Sequence, residues 1–199
     1  MQPGKSYDRL SNETMRRWVA DDMASVRGTV GVDFGAGKLL NRPLFHVQRY
    51  IAVDFNEEAL ATGRRAYPEA ETAVGDVRTF RPGAPIDVAL CLLVFENKYF
   101  AAEETVSAVA HIVGQIAKNG AFYFNYGPKN LPYETQTDAL LHKAFRTVRK
   151  QRYGRLHIPL PFGTRALSRL CRLVPGLLVP ANPARHRIYY ACEGRVAGG

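Results

Sequence analysis

The sequence predicts an open α/β sheet with helices on both faces and an antiparallel hairpin at one edge. Up to Tyr126, stretches with strand and helix patterning alternate regularly, the rhythm of a parallel sheet built from crossovers. "IDVALCLLVF" (86–95) is a near-continuous apolar run, as expected of a strand buried on both faces. After Gly127 the rhythm changes: "RTVRKQRYG" and "HRIYYACE" both pattern as strands with an insertion between them, which fits a hairpin. At 199 residues the chain holds one sizeable core, so the expectation is a single domain over 1–199. Within it, 1–27 forms an N-terminal helical segment, and 155–185 inserts between the last two strands as a candidate lid.

In order, residues 11–26 pattern as a helix, with Met15, Trp18, Val19 and Met23 at helical spacing and Asp22 breaking the apolar stripe. "GTVGVDF" is the first strand, and "GAGKLLNRPLF" a turn with a short helical piece. Pro43 lacks an N–H and makes this first crossover abbreviated or irregular. "YIAVDF" is the second strand. "NEEALATGRRAY" is a helix capped by Asn56, with Glu57 and Glu58 suiting the dipole in its first turn. "ETAVGDV" is a short third strand and 86–95 the fourth. A helix over 101–118 presents Val106, Val109, Ala110, Val113 and Ile116 on one side, "KNG" turns, and "AFYFNY" is the fifth strand. A helix over 133–145 precedes the hairpin.

Hydrophobic content of 46% with 23% charged residues is that of a globular chain and argues against disorder. There is no apolar run of about 18 residues that would read as a membrane span. The polar opening "MQPGKSYDRLSNET" predicts no secretory leader. Cys91, Cys171 and Cys192 are odd in number and widely spaced, unlike a disulfide frame or metal site, so a reducing cytoplasm is expected. The histidines show no metal spacing either. The net charge of +9 is uneven: 143–195 holds 12 Lys and Arg against one acid, Glu193. That asymmetry fits an anionic partner or a solvated basic face.

The chemistry-bearing signal is "GVDFGAGKLL". A dinucleotide turn reads G-x-G-x-x-G with an acid some twenty residues on; Gly35, Gly37 and Asp54 fit, but Leu40 stands third. The alternative pattern, acid-x-G-x-G-x-G, is met by Asp33, Gly35 and Gly37, with Leu39 in the last place. By glycines alone the two tie.

Over nearly its whole length the chain resembles the class I S-adenosylmethionine-dependent methyltransferases. "VDFGAGK" resembles their first motif, "YIAVDFN" their second strand end, "AVGDVRTF" their third, "IDVALCLLVFE" their fourth-strand motif, and "QIAKNGAFYF" the turn before their fifth strand, with Asn119 in place of proline. The resemblance implies a seven-stranded, mostly parallel sheet of order 3-2-1-4-5-7-6. It implies S-adenosyl-L-methionine as cofactor and S-adenosyl-L-homocysteine as product. The site residues carried over are Asp33, Gly35, Ala36 and Gly37 in the turn, Asp54 and Phe55 after strand two, Asp76 and Val77 after strand three, and Leu93 after strand four. Asp54 would accept from the ribose hydroxyls, Asp76 from the adenine amino group, with Val77 beside the ring. Asp33 is placed to order the turn or to meet the ligand's ammonium. Glycine in the turn lets backbone approach the ligand.

Acceptors in this fold lie beyond strands four and five. Glu96, Asn97 and Tyr99 follow the fourth, Asn125 and Tyr126 end the fifth, and Glu96 and Tyr126 are the catalytic candidates, Glu96 first as base or anchor. His157 and His186 are weaker candidates to face the site. The Asn/Asp-Pro-Pro-Tyr motif of amino-group methylation is absent after strand four. Arg165, Arg169 and Arg172 line one side of a short amphipathic stretch that reads as a lid, a sheet-edge cap or a weak peripheral membrane contact. Interleaved basic and aromatic residues in "FRTVRKQRYGR" keep RNA as an alternative acceptor. A small or carrier-bound anionic acceptor ranks first, an RNA methyltransferase second, and a noncatalytic S-adenosylmethionine-binding or scaffold protein third. The sequence is silent on oligomeric state.

Overall fold

The structure is a computed structural model that describes residues 15–96, 100–154 and 186–196. Seven strands form one sheet in the order β3-β2-β1-β4-β5-β7-β6. They are β1 (Gly28–Phe34), β2 (Val47–Asp54), β3 (Glu71–Val74), β4 (Ile86–Cys91), β5 (Ile116–Tyr126), β6 (Phe145–Gly154) and β7 (His186–Arg195). The first five pair in parallel, whereas β7 runs antiparallel to both β5 and β6. This is the expected order, with the expected closing hairpin. Insertion 155–185, with its candidate lid, and His157 lie outside the described residues, as do Asn97 and Tyr99.

Helix α1 spans 15–23, and α2 (Glu57–Ala66), α3 (Thr105–Val113) and α4 (Glu134–Ala144) follow. Met15, Val19 and Met23 of α1 and Leu60 of α2 pack with Tyr50, Ala52, Val88, Leu90 and Tyr123 on one face of the sheet. Ala108, Val109, Ile112 and Val113 of α3 and Leu141 of α4 pack with Val32, Phe34, Ala89, Phe122 and Phe124 on the other. Alternate strand residues point to opposite faces, which is why β5 sends Phe122, Phe124 and Tyr126 one way and Ala121 and Tyr123 the other. Among the described residues, no helix is long and apolar enough to cross a membrane.

Several elements differ from expectation for local reasons. The helix predicted over 101–118 opens with a 3-10 turn (Ala102–Glu104) and ends at Val113, its inner stripe being Thr105, Ala108, Val109, Ile112 and Val113. Ile116 already pairs with Ile86, and the strand passes through a register shift beside Asn119, whose φ of 66° is left-handed. The β1–β2 crossover holds only a 3-10 turn, Arg42–Leu44, containing Pro43, as the proline predicts. β3 stops at Val74 and β4 at Cys91, so Asp76 and Leu93 sit in loops. Asn56 caps α2 by accepting from Ala59 N–H at 3.0 Å. Asp22 is explained by what it meets: Tyr189 and Arg149 donate to its two oxygens at 2.8 and 2.7 Å.

Register aligns the strand ends. Phe34 pairs with Val53 and with Cys91, and Asp54 pairs with Val74. The loops after β1, β2, β3 and β4 therefore gather on one edge, where the chain switches from building outward on one side of β1 to building on the other. Ligands bind such switch points in open α/β sheets.

Candidate functional site

A cavity of about 610 Å³ opens at this edge. Gly35, Ala36, Gly37, Asp54, Phe55, Asp76, Val77 and Leu93 all line it, so the structure brings together eight of the nine residues the sequence places at a cofactor. Asp33, the ninth, is fully buried and lies off the wall.

The turn after β1 is held by its neighbour strand. Gly35 and Ala36 N–H both donate to the Val53 carbonyl, at 2.7 and 3.0 Å, and Gly37 N–H donates to Asp54 Oδ2 at 2.8 Å. Gly35 and Gly37 have φ of 72° and 51°, and a Cβ on Gly35 would stand 2.2 Å from Val94 Cγ2. Leu39, where the family pattern has glycine, also takes a left-handed φ of 58°. That conformation costs a non-glycine residue roughly 1–2 kcal/mol. Full burial of the leucine side chain offsets the cost. Room for it comes from Gly63 on α2, where a Cβ would meet Leu39 Cδ1 at 2.5 Å and the Lys38 carbonyl carbon at 2.7 Å.

Asp54 Oδ1 accepts from Asn56 N–H at 2.9 Å, so backbone fixes both oxygens of this carboxylate at the cavity mouth. A carboxylate has about four acceptor sites, so two fixed bonds leave capacity for a diol. Asp76 is differently engaged. Arg78 Nε donates to its oxygens at 2.9 and 3.0 Å, a second guanidinium nitrogen bonds Oδ2, and the Arg78 backbone N–H donates to Oδ1 at 2.8 Å. These bonds hold the Asp76 carboxyl below the ordinary carboxylate range. Arg78 also reaches Glu104 at 2.6 Å and lies over the Phe100 ring. Val77 is buried, while Phe55 and Leu40 are 65% and 69% exposed and give the cavity apolar walls.

Asp33 accepts from Tyr50 OH at 3.0 Å and from the Asn41 amide at 3.3 and 3.2 Å. Burial pushes its carboxyl up to about 7, against the lowering effect of those bonds. Asn41 in turn accepts from Arg16 Nη1 at 2.9 Å, and both Arg16 and Asn41 line the cavity. Sequence reasoning passed over Arg16, Asn41 and Arg78. A cation in the first helix and an asparagine in an irregular crossover carry no spacing signal. Arg78, two residues from Asp76, offered one.

Beyond β4, Leu93 has a φ of 64° and its N–H donates to Asn125 Oδ1 at 2.8 Å. The Asn125 amide donates to Glu96 Oε1 at 2.6 Å and to Tyr153 OH at 3.0 Å. Glu96 Oε2 pairs with Arg187 at 2.9 Å, with side chains only 12% and 10% exposed. Glu96 is therefore braced between two strands and lies off the cavity wall. The structure does not bring Tyr126 to the cavity either: it is buried on the α3–α4 face, its OH 3.1 Å from that of Tyr190, and burial holds its phenol well above the ordinary value. Asn125 and Tyr126 could not both face the site, because adjacent strand residues point oppositely.

Among the described residues, no group of three His, Cys, Asp or Glu side chains could hold a metal. Arg149 pairs with Asp22, Lys150 with Glu134 and Asp138, and Arg152 with Glu134, while Arg195 donates to the Val113 and Ala144 carbonyls.

No protein-family model and no curated protein matches the sequence. Solved structures do match in shape. The magnesium protoporphyrin IX methyltransferase of Synechocystis PCC 6803, solved with bound S-adenosylmethionine, superposes over 97% of this chain and 86% of its own at TM-score 0.61 and 14% identity. The N-methyltransferase NodS of Bradyrhizobium japonicum WM9 superposes over 97% and 99% at TM-score 0.57 and 10% identity. An amino pentose methyltransferase of Micromonospora echinaspora is 23% identical over 61% of this chain, which spans about half of that protein's length (51%), at TM-score 0.46. With the strand order and the antiparallel end, the first two likenesses establish that this chain has the fold of the class I S-adenosylmethionine-dependent methyltransferases.

Proposed function

We propose that the chain binds S-adenosylmethionine in this cavity and transfers its methyl group to a small or carrier-bound anionic acceptor. One observation carries the reading: the turn of Gly35 and Gly37 is tied by its own N–H to Asp54, the carboxylate at the end of the neighbouring strand. Both open onto a cavity at the switch point of a sheet with methyltransferase order.

The residues present fit the cofactor. A Cβ on Gly37 would meet only Asp54 Oδ2, at 4.0 Å, so backbone there faces open space. A volume near 610 Å³ falls within the range of small-ligand sites. Asp54 offers acceptors for a ribose diol, and Val77, Phe55 and Leu93 offer apolar surface to a planar base. Asp76 contributes through Arg78 and keeps fewer free acceptor positions than the sequence pattern implied.

Bound in this way, the cofactor supplies an electrophilic methyl group on sulfur. The chain's part is to hold it, to exclude water and to align it with the acceptor, which are the main sources of rate in such a displacement. No general base is assigned. Glu96 is engaged by Arg187 and Asn125, and a base is needed only where the acceptor must lose a proton. Support for an anionic acceptor comes from Lys38 at the cavity and from the five arginines and no acids of 155–185. RNA ranks behind because Arg149, Lys150 and Arg152 of the hairpin already meet carboxylates.

Calorimetric titration with S-adenosylhomocysteine, with NAD alongside, tests the reading. S-adenosylhomocysteine should bind and NAD should not, and Asp54→Ala should weaken that binding at least about tenfold. Binding of neither ligand would leave a noncatalytic scaffold as the better description. Methyl incorporation then screens acceptors.

A further inference from the structure

Among the described residues, three cations line the cavity, Arg16, Lys38 and Arg78, and they are held in different ways. Arg78 is committed to Asp76 and Glu104. Lys38 is exposed, on a flexible stem. Arg16 alone of the three is half-buried and aimed by a chain of buried polar groups.

That chain has a fixed polarity. Tyr50 OH and the Asn41 amide nitrogen both donate to the Asp33 carboxyl, in full burial. An asparagine side chain has one donor end and one acceptor end. With its nitrogen on Asp33, Asn41 must turn its oxygen outward, and there it receives Arg16 Nη1. A guanidinium has five N–H donors in a rigid fork, so one bond to Asn41 orients the group and leaves donors for a ligand. Asp33, which the motif would place against a ligand's ammonium, serves here as the footing of a cation.

We propose that Arg16 is a carboxylate-binding residue of the cavity, fixed through Asn41 by Asp33 and Tyr50, and that it holds the amino-acid carboxylate of the cofactor. The assignment rests on the S-adenosylmethionine reading above. It follows from charge: that carboxylate is the cofactor's only anionic group, Asp54 makes the β2 end of the cavity acidic while Arg78 is spent on Asp76, and the preorganised cation lies by the β1 turn. Asn41 and Asp33 are positioning residues in this arrangement.

The test compares two ligands by calorimetry: S-adenosylhomocysteine and 5′-methylthioadenosine, which keeps the nucleoside and sulfur but lacks the amino-acid end. Arg16→Gln should weaken S-adenosylhomocysteine roughly ten- to a hundredfold, the value of a charge-assisted bond, and leave methylthioadenosine within about twofold. Arg16→Lys, which keeps charge and loses the fork, should fall between. Thermal unfolding of both variants should match wild type, since the side chain is half-exposed. If wild type binds both ligands and Arg16→Gln weakens both alike, or neither, the carboxylate assignment is wrong while the cofactor reading stands. If wild type binds neither, the cofactor reading falls and the assignment falls with it.

Discussion

The two halves of the sheet treat charge in opposite ways. At the ends of β1, β2 and β3, carboxylates and backbone N–H groups are arranged around open space: Asp54 is held by Gly37 and Asn56, and Asp76 by Arg78. Toward β7 and β6, four of the described cations meet carboxylates instead. Glu96 pairs with Arg187, Arg149 with Asp22, and Lys150 with Glu134 and Asp138. The described strands of the sequence's basic quarter, β6 and β7, lie in the second half, yet the ligand-sized cavity is in the first. Net charge along a chain therefore says little about where a partner sits until the pairing of each charge is known.

The difference should be plainest at Glu96. Removing it takes the Glu96 carboxylate from the Arg187 guanidinium, which is 10% exposed. Breaking such a pair from one side typically costs about 3–5 kcal/mol. Glu96→Ala should thus lower the urea midpoint by that equivalent, with affinity for S-adenosylhomocysteine unchanged in whatever fraction stays folded. Glu96→Gln separates brace from base. A base would lose turnover at unchanged stability; a brace loses stability first.

In the cavity half the expected counterpart is a pH effect. Asp33 titrates near 7 in the folded chain against an ordinary 3.8, because burial disfavours its charge. Its folded pKa is raised, so the stability it contributes is complete below about pH 4, declines through the interval and is gone above about pH 7. The full swing is on the order of 4 kcal/mol at most. Asp33→Asn keeps an acceptor for Tyr50 and cannot ionise. Plotted against pH between about 5 and 8, wild-type stability minus that of the variant should fall; a flat difference would mean that Asp33 titrates normally.

How much was legible follows the same division. Strand identity was readable because a buried parallel strand must be apolar and a capped helix must carry groups such as Asn56, whereas the order of the strands came with the family resemblance. The cavity residues were readable because the family resemblance places them at strand ends, and the rhythm of strands and helices locates those ends. Contacts made by long side chains across the sheet were not. Asp22 looked like a flaw in an apolar stripe and is a bridge to Tyr189 and Arg149, 167 and 127 residues away. Glu96 looked free because Arg187 lies beyond an insertion. The helix patterned over 101–118 ends at Val113 because Ile116 and Ala117 suit either structure, and pairing of Ile116 with β4 decides between them.

Gly63 offers a smaller effect inside the cavity half. Alanine in a helix interior is ordinarily better than glycine by about 1 kcal/mol. Here its Cβ would lie 2.7 and 2.8 Å from the Lys38 carbonyl group, which belongs to the turn itself. Overpacking of this kind costs about 1–3 kcal/mol, so Gly63→Ala should destabilise. Because the atom pushed is backbone of the glycine turn, S-adenosylhomocysteine should also bind more weakly. A stabilised variant with unchanged affinity would show that the turn yields freely.

The smallest effect tests the hairpin's charge. Arg149 is 46% exposed, with Asp22 at 2.7 Å and Glu193 at 3.6 Å. Pairs of this exposure are worth about 0–1 kcal/mol. Arg149→Ala should therefore shift the unfolding midpoint barely, the more so because Tyr189 still donates to Asp22. The informative readout is retention of single-stranded RNA at low salt. A cation that contacts phosphate contributes to the salt dependence of binding, so losing it weakens binding and flattens the slope. A cation engaged by two carboxylates contributes neither. Unchanged retention and slope in Arg149→Ala would place this strand's charge in the service of α1, which it ties to the sheet. A flattened slope would return RNA to the leading position and move the functional surface to the half of the molecule that the cavity does not occupy.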